Sequence, residues 1–140
     1  MDSNLRRSII LDNYNNPNNR QRHDNDDYIK INSRNISCID NIDVYVKIEN
    51  NIIKDITYEG EACAISISSS SIISNLLKDK TLEQAKEIIN NYYNMIEEKE
   101  YNKELLEEAN VFDEIYKQPS RKMCATLIVR GIEDIINKMK

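Results

Sequence analysis

The sequence predicts an α+β fold in which a small antiparallel three-stranded sheet packs against several helices, as one domain over residues 1–140. Strand-like alternation is confined to the stretch between residues 28 and 58, and helical periodicity occurs before and after it. Strands and helices that are segregated along a chain in this way are typical of α+β proteins. Apolar residues make up 40% of the chain, with only 2 glycines and 2 prolines, so regular elements around a single core are expected.

The chain is predicted to begin with a helix over residues 5–14. Its apolar residues have the spacing of one helical face: Leu5, Ile9, Ile10 and Tyr14. Pro17 follows and should end the helix. Residues 15–27 are rich in Asn, Asp and Arg and have no apolar period, so we expect a solvated loop there. The loop contains the only histidine, His23, which we interpret as exposed.

Three short segments are predicted to form the sheet. Residues 28–31 are a candidate first strand, and residues 42–48 alternate between two faces. The two faces carry Ile42, Val44, Val46 and Ile48 on one side and Asp43, Tyr45 and Lys47 on the other. Asn50 and Asn51 suit a tight turn, because Asn tolerates left-handed dihedral angles. Residues 52–58 then return as the hairpin partner.

Helical periodicity resumes over residues 64–78. The residues on one face are Ile65, Ser69, Ile72, Ile73, Leu76 and Leu77. Isoleucines flank the serines at 68–71 at helical spacing, so we interpret these serines as small residues on a tightly packed helix rather than as a linker. The sequence places no general base beside them, which argues against a serine nucleophile.

Three further helices are expected after residue 80. Thr81 followed by Gln84 is a capping-box pattern, which predicts the start of a long amphipathic helix. A shorter helix is expected over residues 104–116 within a heavily charged region. Pro119 suits the first turn of a final helix over residues 120–139.

Composition excludes several classes of function. The formal net charge is −5 and the sequence has no Lys/Arg block, so we do not expect nucleic acid as a partner. The apolar runs are too short to span a membrane, and the first residues lack the apolar core of a signal peptide. We therefore expect a cytoplasmic protein, whose thiols stay reduced.

The three cysteines are Cys38, Cys63 and Cys124, and each lies at a predicted element boundary. Their spacing matches no zinc finger, so three unrelated core cysteines remain an alternative. Cys63 and Cys124 lie near predicted helix N-termini, which favour the thiolate form. Cys38 and Asp40 would face the same side of an extended segment, and two adjacent anions need a cation between them. Three thiolates and one carboxylate would suit Zn²⁺ or an iron–sulfur cluster.

Four segments of the chain resemble, in order, the motifs of the U-type iron–sulfur cluster assembly proteins, the IscU/NifU N-terminal family. The segment "ILDNYNNPNN" resembles the opening helix of that family, and "NISCIDN" resembles its N-P-x-C-G-D motif. The segment "YEGEACAISISSSSIIS" resembles its F-x-G-x-G-C-x-I-S motif, and "PSRKMCATL" resembles its final P-x-R-x-K-C-A-T-L motif. The resemblance covers almost the whole chain and is nearest to the SufU-like branch.

The resemblance implies that Cys38, Asp40, Cys63 and Cys124 form one site that holds a tetrahedral Zn²⁺, or alternatively iron or a transient iron–sulfur cluster. Cys38 would be the catalytic residue, which leaves the metal and accepts persulfide sulfur. The donor would be a SufS-like cysteine desulfurase, which makes the persulfide with its own pyridoxal phosphate. Apo iron–sulfur acceptor proteins would be the eventual recipients. Arg121 matches an arginine that the family uses near the partner interface.

The chain departs from the family pattern at four positions near these residues. Met123 stands where the scaffold branch has histidine and the SufU-like branch has lysine. A thioether is a poor zinc ligand, so the set of three cysteines and Asp40 is favoured. Ile36 replaces the motif's proline, and Ile39 and Ala62 replace glycines. Ile39 is β-branched and stiff, so it is expected to restrict the movement of Cys38.

Three functions are compatible with the sequence. The resemblance favours a zinc-dependent sulfurtransferase that carries sulfur from a cysteine desulfurase into cluster assembly. The first alternative is a scaffold protein that assembles an iron–sulfur cluster and hands it on. The second is a zinc-stabilised interaction protein without sulfur chemistry. A zinc deaminase is disfavoured, because its H-x-E and P-C-x-x-C signature is missing.

Overall fold

The computed structural model describes residues 1–139, and it confirms the predicted α+β fold. Three strands follow the first helix, and the other helices follow the strands. The strands are β1 (Ile29–Arg34), β2 (Asn41–Glu49) and β3 (Ile52–Glu61). The helices are α1 (Ser3–Asn15), α2 (Ala64–Leu77), α3 (Leu82–Ile96), α4 (Lys103–Leu106), α5 (Pro119–Ala125) and α6 (Leu127–Lys138). Two short 3₁₀ helices, Glu107–Phe112 and Ile115–Lys117, separate α4 from α5.

The sheet is antiparallel with the strand order β1-β2-β3. The β2–β3 hairpin turns at Asn50 and Asn51, which have φ angles of 53° and 64°. These left-handed dihedral angles confirm the predicted turn, because Asn adopts them at lower cost than most residues. β1 runs to Arg34, three residues beyond the predicted strand, and it ends immediately before the segment that carries Cys38.

One face of the sheet packs on α2 and α6 and forms the core. Ile42, Val44 and Val46 lie on β2 with at most 1% of their surface exposed, as the alternation predicts. A Cβ atom on Gly131 of α6 would lie 3.1 Å from Val44 Cγ2. The missing side chain therefore lets α6 approach the sheet closely at this point.

The opposite face of the sheet is covered by the loop that follows α1. The His23 ring stacks on Tyr28 with centroids 3.9 Å apart, and it meets the edge of Tyr45 at 6.2 Å. Tyr45 is fully buried as a result. The interpretation of His23 as an exposed loop residue is therefore wrong. A polar loop without periodicity gives no sign that it folds back over aromatic residues of the sheet.

The serines of α2 are buried against the rest of the molecule, which confirms that small residues line a packed helix. Ser71 donates a hydrogen bond to Asn13 Oδ1 of α1 at 2.7 Å, and Asn19 donates to Ser74 at 2.8 Å. These bonds attach α1 and the loop after it to α2. The hydroxyls of Ser71 and Ser74 are therefore satisfied inside the protein, as buried polar groups generally are.

The C-terminal third differs from its prediction in two places. Residues 104–116 form one α-helical turn and two 3₁₀ segments instead of one helix. The helix predicted over residues 120–139 is two helices, α5 and α6, separated at Thr126, where φ is −103° and ψ is 4°. The Thr126 hydroxyl donates to the carbonyl of Lys122 at 2.9 Å. Such bonds to the preceding turn bend helices, and this break sets the direction in which α5 presents its side chains.

The capping box at the start of α3 is confirmed, with Thr81 and Gln84 exchanging hydrogen bonds at 2.9 and 3.1 Å.

Within residues 1–139, none of the helices combines the length and the apolar character that a membrane span requires.

Candidate metal centre

The four predicted ligands meet at one end of the sheet. Their ligand atoms, three sulfurs and one carboxylate oxygen, lie within 4.8 Å of one another. Cys38 and Asp40 belong to the connection between β1 and β2, Cys63 is the N-cap residue of α2, and Cys124 lies in α5. Residues that are far apart in the sequence therefore form one cluster.

Cys38 lies in a tight turn, residues 36–39, which we call the Cys38 turn. The Cys38 N–H donates to the Asn35 carbonyl at 3.0 Å, and the Asn35 N–H donates to the Asp40 carbonyl at 3.0 Å. The expected extended segment is therefore wrong. The turn nevertheless brings Cys38 Sγ to 3.6 Å from Asp40 Oδ1, so the two side chains face one point as predicted.

Asp40 is the buried carboxylate of the cluster, with 1% of its surface exposed. Its Oδ1 accepts the Cys63 N–H at 2.8 Å, and its Oδ2 accepts the Ser66 hydroxyl at 2.5 Å. Burial by itself raises the pKa of Asp40, but these hydrogen bonds outweigh it and hold that pKa below its ordinary value. The carboxylate is therefore ionised at neutral pH although it is buried.

Cys63 is positioned by the junction between β3 and α2. Gly60 has a φ of 146°, and a Cβ there would collide with the backbone of Asn41 on β2. Glycine thus lets β3 stay paired with β2 up to the point where the chain turns into α2. Cys63 makes no side-chain cap of its own helix. The Asp40 carboxylate takes that role by accepting the Cys63 N–H at the positive end of α2.

Cys124 is the most buried of the three thiols, with 1% of its surface exposed. Burial raises the pKa of Cys124 to about 12, and the neighbouring Asp40 and Cys63 add to the effect. The expectation of a helix N-terminus that favours the Cys124 thiolate is therefore wrong. Because the chain breaks at Thr126, Cys124 is the penultimate residue of the seven-residue α5 instead of lying early in a long helix.

Two polar residues outside the predicted set contact these ligands. Ser66 bonds to Asp40 and lies 3.6 Å from Cys63 Sγ, and the Asn35 side-chain amide donates to Cys124 Sγ at 3.8 Å. Sequence reasoning missed both. Ser66 follows Cys63 by three residues at a helix start, a spacing that places two side chains on one face, so this signal was present.

The cluster therefore has two parts. Asp40, Cys63 and Cys124, which we call the inner ligands, are each contacted by a polar group from outside the ligand set. Among residues 1–139, no group outside the set bonds to the sulfur of Cys38, which is exposed. On the Cys38 turn, the side chains of Ile36 and Ile39 are 92% and 67% exposed.

The donor set fits a tetrahedral metal ion. Zinc takes four ligands, with Zn–S distances of about 2.3 Å and Zn–O distances of about 2.0–2.2 Å, which separates neighbouring ligand atoms by roughly 3.5–3.8 Å. The ligand atoms of the cluster lie at most 4.8 Å apart, which is close to the spacing around such an ion. Thiolates also suit iron–sulfur clusters, so the chemistry of the ligands admits zinc and iron.

Arg121 and Met123 lie beside Cys124 in α5 but outside the cluster. Arg121 is exposed, and its guanidinium forms no hydrogen bond or ion pair with other residues in the 1–139 range. It precedes Cys124 by three residues, which is about one helical turn. Met123 is 46% exposed and is not among the clustered ligands, in agreement with its poor match to zinc.

Comparisons with known proteins agree with this geometry. The family model of the NifU-like N terminal domain matches residues 5–125. The zinc-dependent sulfurtransferase SufU of Bacillus subtilis is 32% identical over 135 residues, which cover 96% of this chain and 90% of that protein. The iron–sulfur cluster assembly scaffold protein IscU of Thermotoga maritima is 27% identical over 106 residues, which cover 76% of this chain and 75% of that protein.

A solved structure is similar over most of its length. FiSufU from Fervidobacterium islandicum, described as a scaffold protein for iron–sulfur cluster assembly in the SUF system, has a TM-score of 0.82 and 26% identity. The match covers 90% of this chain and 93% of that one. The chain therefore belongs to the NifU-like N-terminal domain family, the iron–sulfur cluster assembly proteins that include SufU and IscU.

Proposed function

We propose that this protein is a zinc-dependent sulfurtransferase that accepts persulfide sulfur at Cys38 from a SufS-like cysteine desulfurase. One observation carries the proposal. Cys38 is the exposed ligand of the four, and its sulfur is the one without a hydrogen bond from outside the ligand set among residues 1–139. A ligand that must leave the metal and meet a partner needs both properties.

Cys38, Asp40, Cys63 and Cys124 would hold the ion, and the ion would keep the thiols deprotonated without redox chemistry of its own. In the transfer, the Cys38 thiolate attacks the terminal sulfur of the donor's cysteine persulfide. A new S–S bond forms on Cys38, and the donor's S–S bond breaks. The electron pair leaves with the donor cysteine as a thiolate, so no external oxidant or reductant is required.

The surroundings of Cys38 support access by a partner. An open groove reaches Cys38 and Asp40 and is lined by residues of all three strands, with side chains of both charge signs that include Arg34 and Asp43. We assign Arg121 to docking of the desulfurase, because its guanidinium is exposed and has no partner within residues 1–139. The inner ligands would stay in place while the Cys38 turn moves.

The finer assignments follow from the same proposal. We treat residues 1–140 as one U-type domain, and we place the protein in the cytoplasm, where thiols stay reduced. The apo iron–sulfur acceptor proteins would receive the sulfur after cluster assembly. The relatives named above support sulfur transfer and cluster scaffolding as neighbouring roles in one family.

The test is desulfurase turnover with and without this protein, run alongside metal analysis. We expect about one zinc per chain and faster turnover when the protein is present. Cys38→Ala should abolish persulfide acceptance, whereas Ser37→Ala, an exposed neighbour on the same turn, should accept persulfide normally. Acceptance that survives in Cys38→Ala would overturn the role of Cys38. Zinc binding with unchanged desulfurase turnover would instead favour the zinc-stabilised interaction protein.

Arg121→Ala tests the docking assignment. We expect a higher apparent KM for this protein in the desulfurase assay with little change in maximal turnover, because the residue lies outside the ligand cluster. Arg7→Ala is the charge-matched control, since Arg7 is exposed on α1, which supplies no ligand. Equal effects of the two substitutions would remove the assignment of Arg121.

The scaffold function is the second candidate, because the three thiolates also suit an iron–sulfur cluster and IscU proteins are relatives. Anaerobic loading with iron and sulfide would then give a stable visible absorbance, followed by transfer to an apo-ferredoxin. Loss of that absorbance on addition of stoichiometric zinc would favour the sulfurtransferase.

A further inference from the structure

A single hydroxyl lies at the centre of the inner ligands. Ser66 is fully buried, and its Oγ lies 2.5 Å from Asp40 Oδ2, 3.0 Å from the Cys124 carbonyl oxygen and 3.6 Å from Cys63 Sγ. The Ser66 hydroxyl oxygen therefore contacts all three inner ligands, Asp40, Cys63 and Cys124. No hydrogen bond joins this hydroxyl to residues 36–39, which form the Cys38 turn.

A serine hydroxyl has one proton and can donate it to only one of two acceptors here. A carboxylate is the stronger acceptor than a backbone carbonyl, and charge-assisted O–H···O bonds have lengths of about 2.5–2.7 Å. The 2.5 Å distance to Asp40 and the 3.0 Å distance to Cys124 agree with donation to Asp40. The lone pairs of the hydroxyl then face Cys63.

The Asp40 carboxylate is thus held at both oxygens. Oδ1 accepts the Cys63 N–H and Oδ2 accepts the Ser66 hydroxyl, so rotation about the carboxylate bond would break one bond or the other. Each oxygen keeps a second lone pair for a metal ion. Both donors come from the start of α2, which also carries the ligand Cys63.

We propose that Ser66 is a positioning residue of the metal centre, which fixes the Asp40 carboxylate so that the inner ligands retain the ion when Cys38 leaves. The inference rests on the proposed function, because it assumes that the four clustered residues bind a metal. Hydrogen bonds that orient metal ligands typically change metal affinity by about 10–100-fold when they are removed.

The test is competition for zinc between the protein and a chromophoric chelator. Ser66→Ala is compared with Ser70→Ala. Ser70 lies on the same helix, and its buried hydroxyl has no hydrogen-bond partner among residues 1–139. We expect Ser66→Ala to bind zinc about 10–100-fold more weakly than wild type. Ser70→Ala should match wild type within about twofold, because no bond is lost there.

A second pair of variants isolates the state in which Cys38 has left. In a Cys38→Ala background, the ion depends on the inner ligands alone, so adding Ser66→Ala should weaken zinc binding by at least as much as it does in the wild-type background. A smaller effect in the Cys38→Ala background would overturn the proposal.

Two further measurements separate positioning from a purely structural role. Ser66→Thr keeps the hydroxyl and should bind zinc within about threefold of wild type, and a loss as large as that of Ser66→Ala would count against the hydrogen bond as the cause. Thermal melts of metal-free and zinc-loaded Ser66→Ala are also compared. An equal decrease in both melting temperatures would show a structural hydroxyl and overturn the proposal.

The Asp40→Ala variant separates a failure of the Ser66 proposal from a failure of the proposed function. Asp40→Ala should lose zinc affinity if Asp40 is a ligand. If Asp40→Ala binds zinc as tightly as wild type, the proposed ligand set fails. If Asp40→Ala loses zinc but Ser66→Ala keeps wild-type affinity, only the positioning role of Ser66 fails.

Discussion

The inner ligands and the Cys38 turn contribute to the same cluster, but they are built in opposite ways. Asp40 and Cys124 are 1% exposed, and hydrogen bonds from Ser66 and Asn35 reach the inner ligands. Cys38 lies in a four-residue turn that exposes two isoleucines to solvent. The contrast agrees with the proposed function, in which the inner ligands keep the ion and Cys38 leaves it.

The difference has a plain physical origin. The inner ligands lie in or directly beside elements that pack on the core. Asp40 immediately precedes β2, Cys63 is the N-cap residue of α2, and Cys124 lies in α5. Their positions are over-determined by contacts that would all have to change together. The Cys38 turn is closed by two backbone hydrogen bonds and makes little use of apolar burial. Such segments open at low free-energy cost.

The largest expected effect comes from removing an inner ligand, Cys124, in comparison with removing Cys38. Cys124→Ala should reduce zinc affinity by more than about 100-fold, because it removes a ligand outright, whereas removal of a supporting bond costs about 10–100-fold. Cys38→Ala should retain more zinc but accept no persulfide. Zinc content after dialysis and persulfide labelling are the two measurements. Equal zinc loss in both variants would remove the distinction between the two parts.

Removal of the metal should destabilise the whole domain, because the inner ligands join β2, α2 and α5. A ligand present at 1,000 times its Kd adds about 4 kcal/mol to the free energy of unfolding. In a domain of this size, that corresponds to a decrease of roughly 10 °C in Tm after chelation. Differential scanning fluorimetry with and without a chelator measures it, and an unchanged Tm would indicate that no metal stabilises the fold.

Zinc affinity should depend on pH through Cys124. Since burial raises the pKa of this thiol to about 12, its proton must leave when zinc binds at neutral pH. The apparent affinity should therefore fall about tenfold per pH unit as pH decreases, for this proton alone. Asp40, with its lowered pKa, releases no proton in the range from pH 6 to 8. Calorimetric titrations in buffers of different ionisation enthalpy count the protons released.

In the metal-free protein, the raised pKa of Cys124 makes the folded state less stable as pH rises, whereas zinc affinity increases with pH. The folded state keeps the Cys124 proton more tightly than the unfolded state, whose thiol has the ordinary value of 9.0. The stabilisation is fully present below that pH and is lost as pH rises toward 12. Stability that increases over this range would contradict the buried neutral thiol.

The smallest expected effect concerns the stiffness of the Cys38 turn. Ile39 is 67% exposed, so Ile39→Gly should change the free energy of unfolding by no more than about 1 kcal/mol. Glycine should nevertheless increase the rate at which Cys38 reacts with a thiol reagent in the zinc-loaded protein several-fold, because it frees the turn. Ile39→Ala removes the apolar bulk without freeing the backbone and is the control. Equal rates in both variants would assign the effect to bulk.

Part of the fold and of the site is encoded in short stretches of sequence. The alternation of β2, the Asn50–Asn51 turn and the Thr81 capping box are local signals, and each is confirmed. The four candidate ligands are identified by their order and their motifs, and the fold brings them together. Ser66 has a local signal in its spacing from Cys63, but its partner Asp40 is 26 residues away.

Other features depend on packing that no local pattern contains. The environment of Cys124 differs from its prediction, because the helix break at Thr126 moves that residue from the start of a helix to its end. His23 is covered because a polar loop folds back onto the aromatic residues of the sheet. In both cases, a long-range contact overrides the local expectation.

The sequence by itself determined the α+β class, the order of the elements and the residue types able to bind a soft metal ion, because periodicity and side-chain chemistry are local properties. The tertiary structure alone decided which of those ligands are held and which one is exposed. Burial, hydrogen bonds from Ser66 and Asn35, and the direction of α5 arise between elements that are distant in the chain. Those contacts separate Cys38 from the inner ligands.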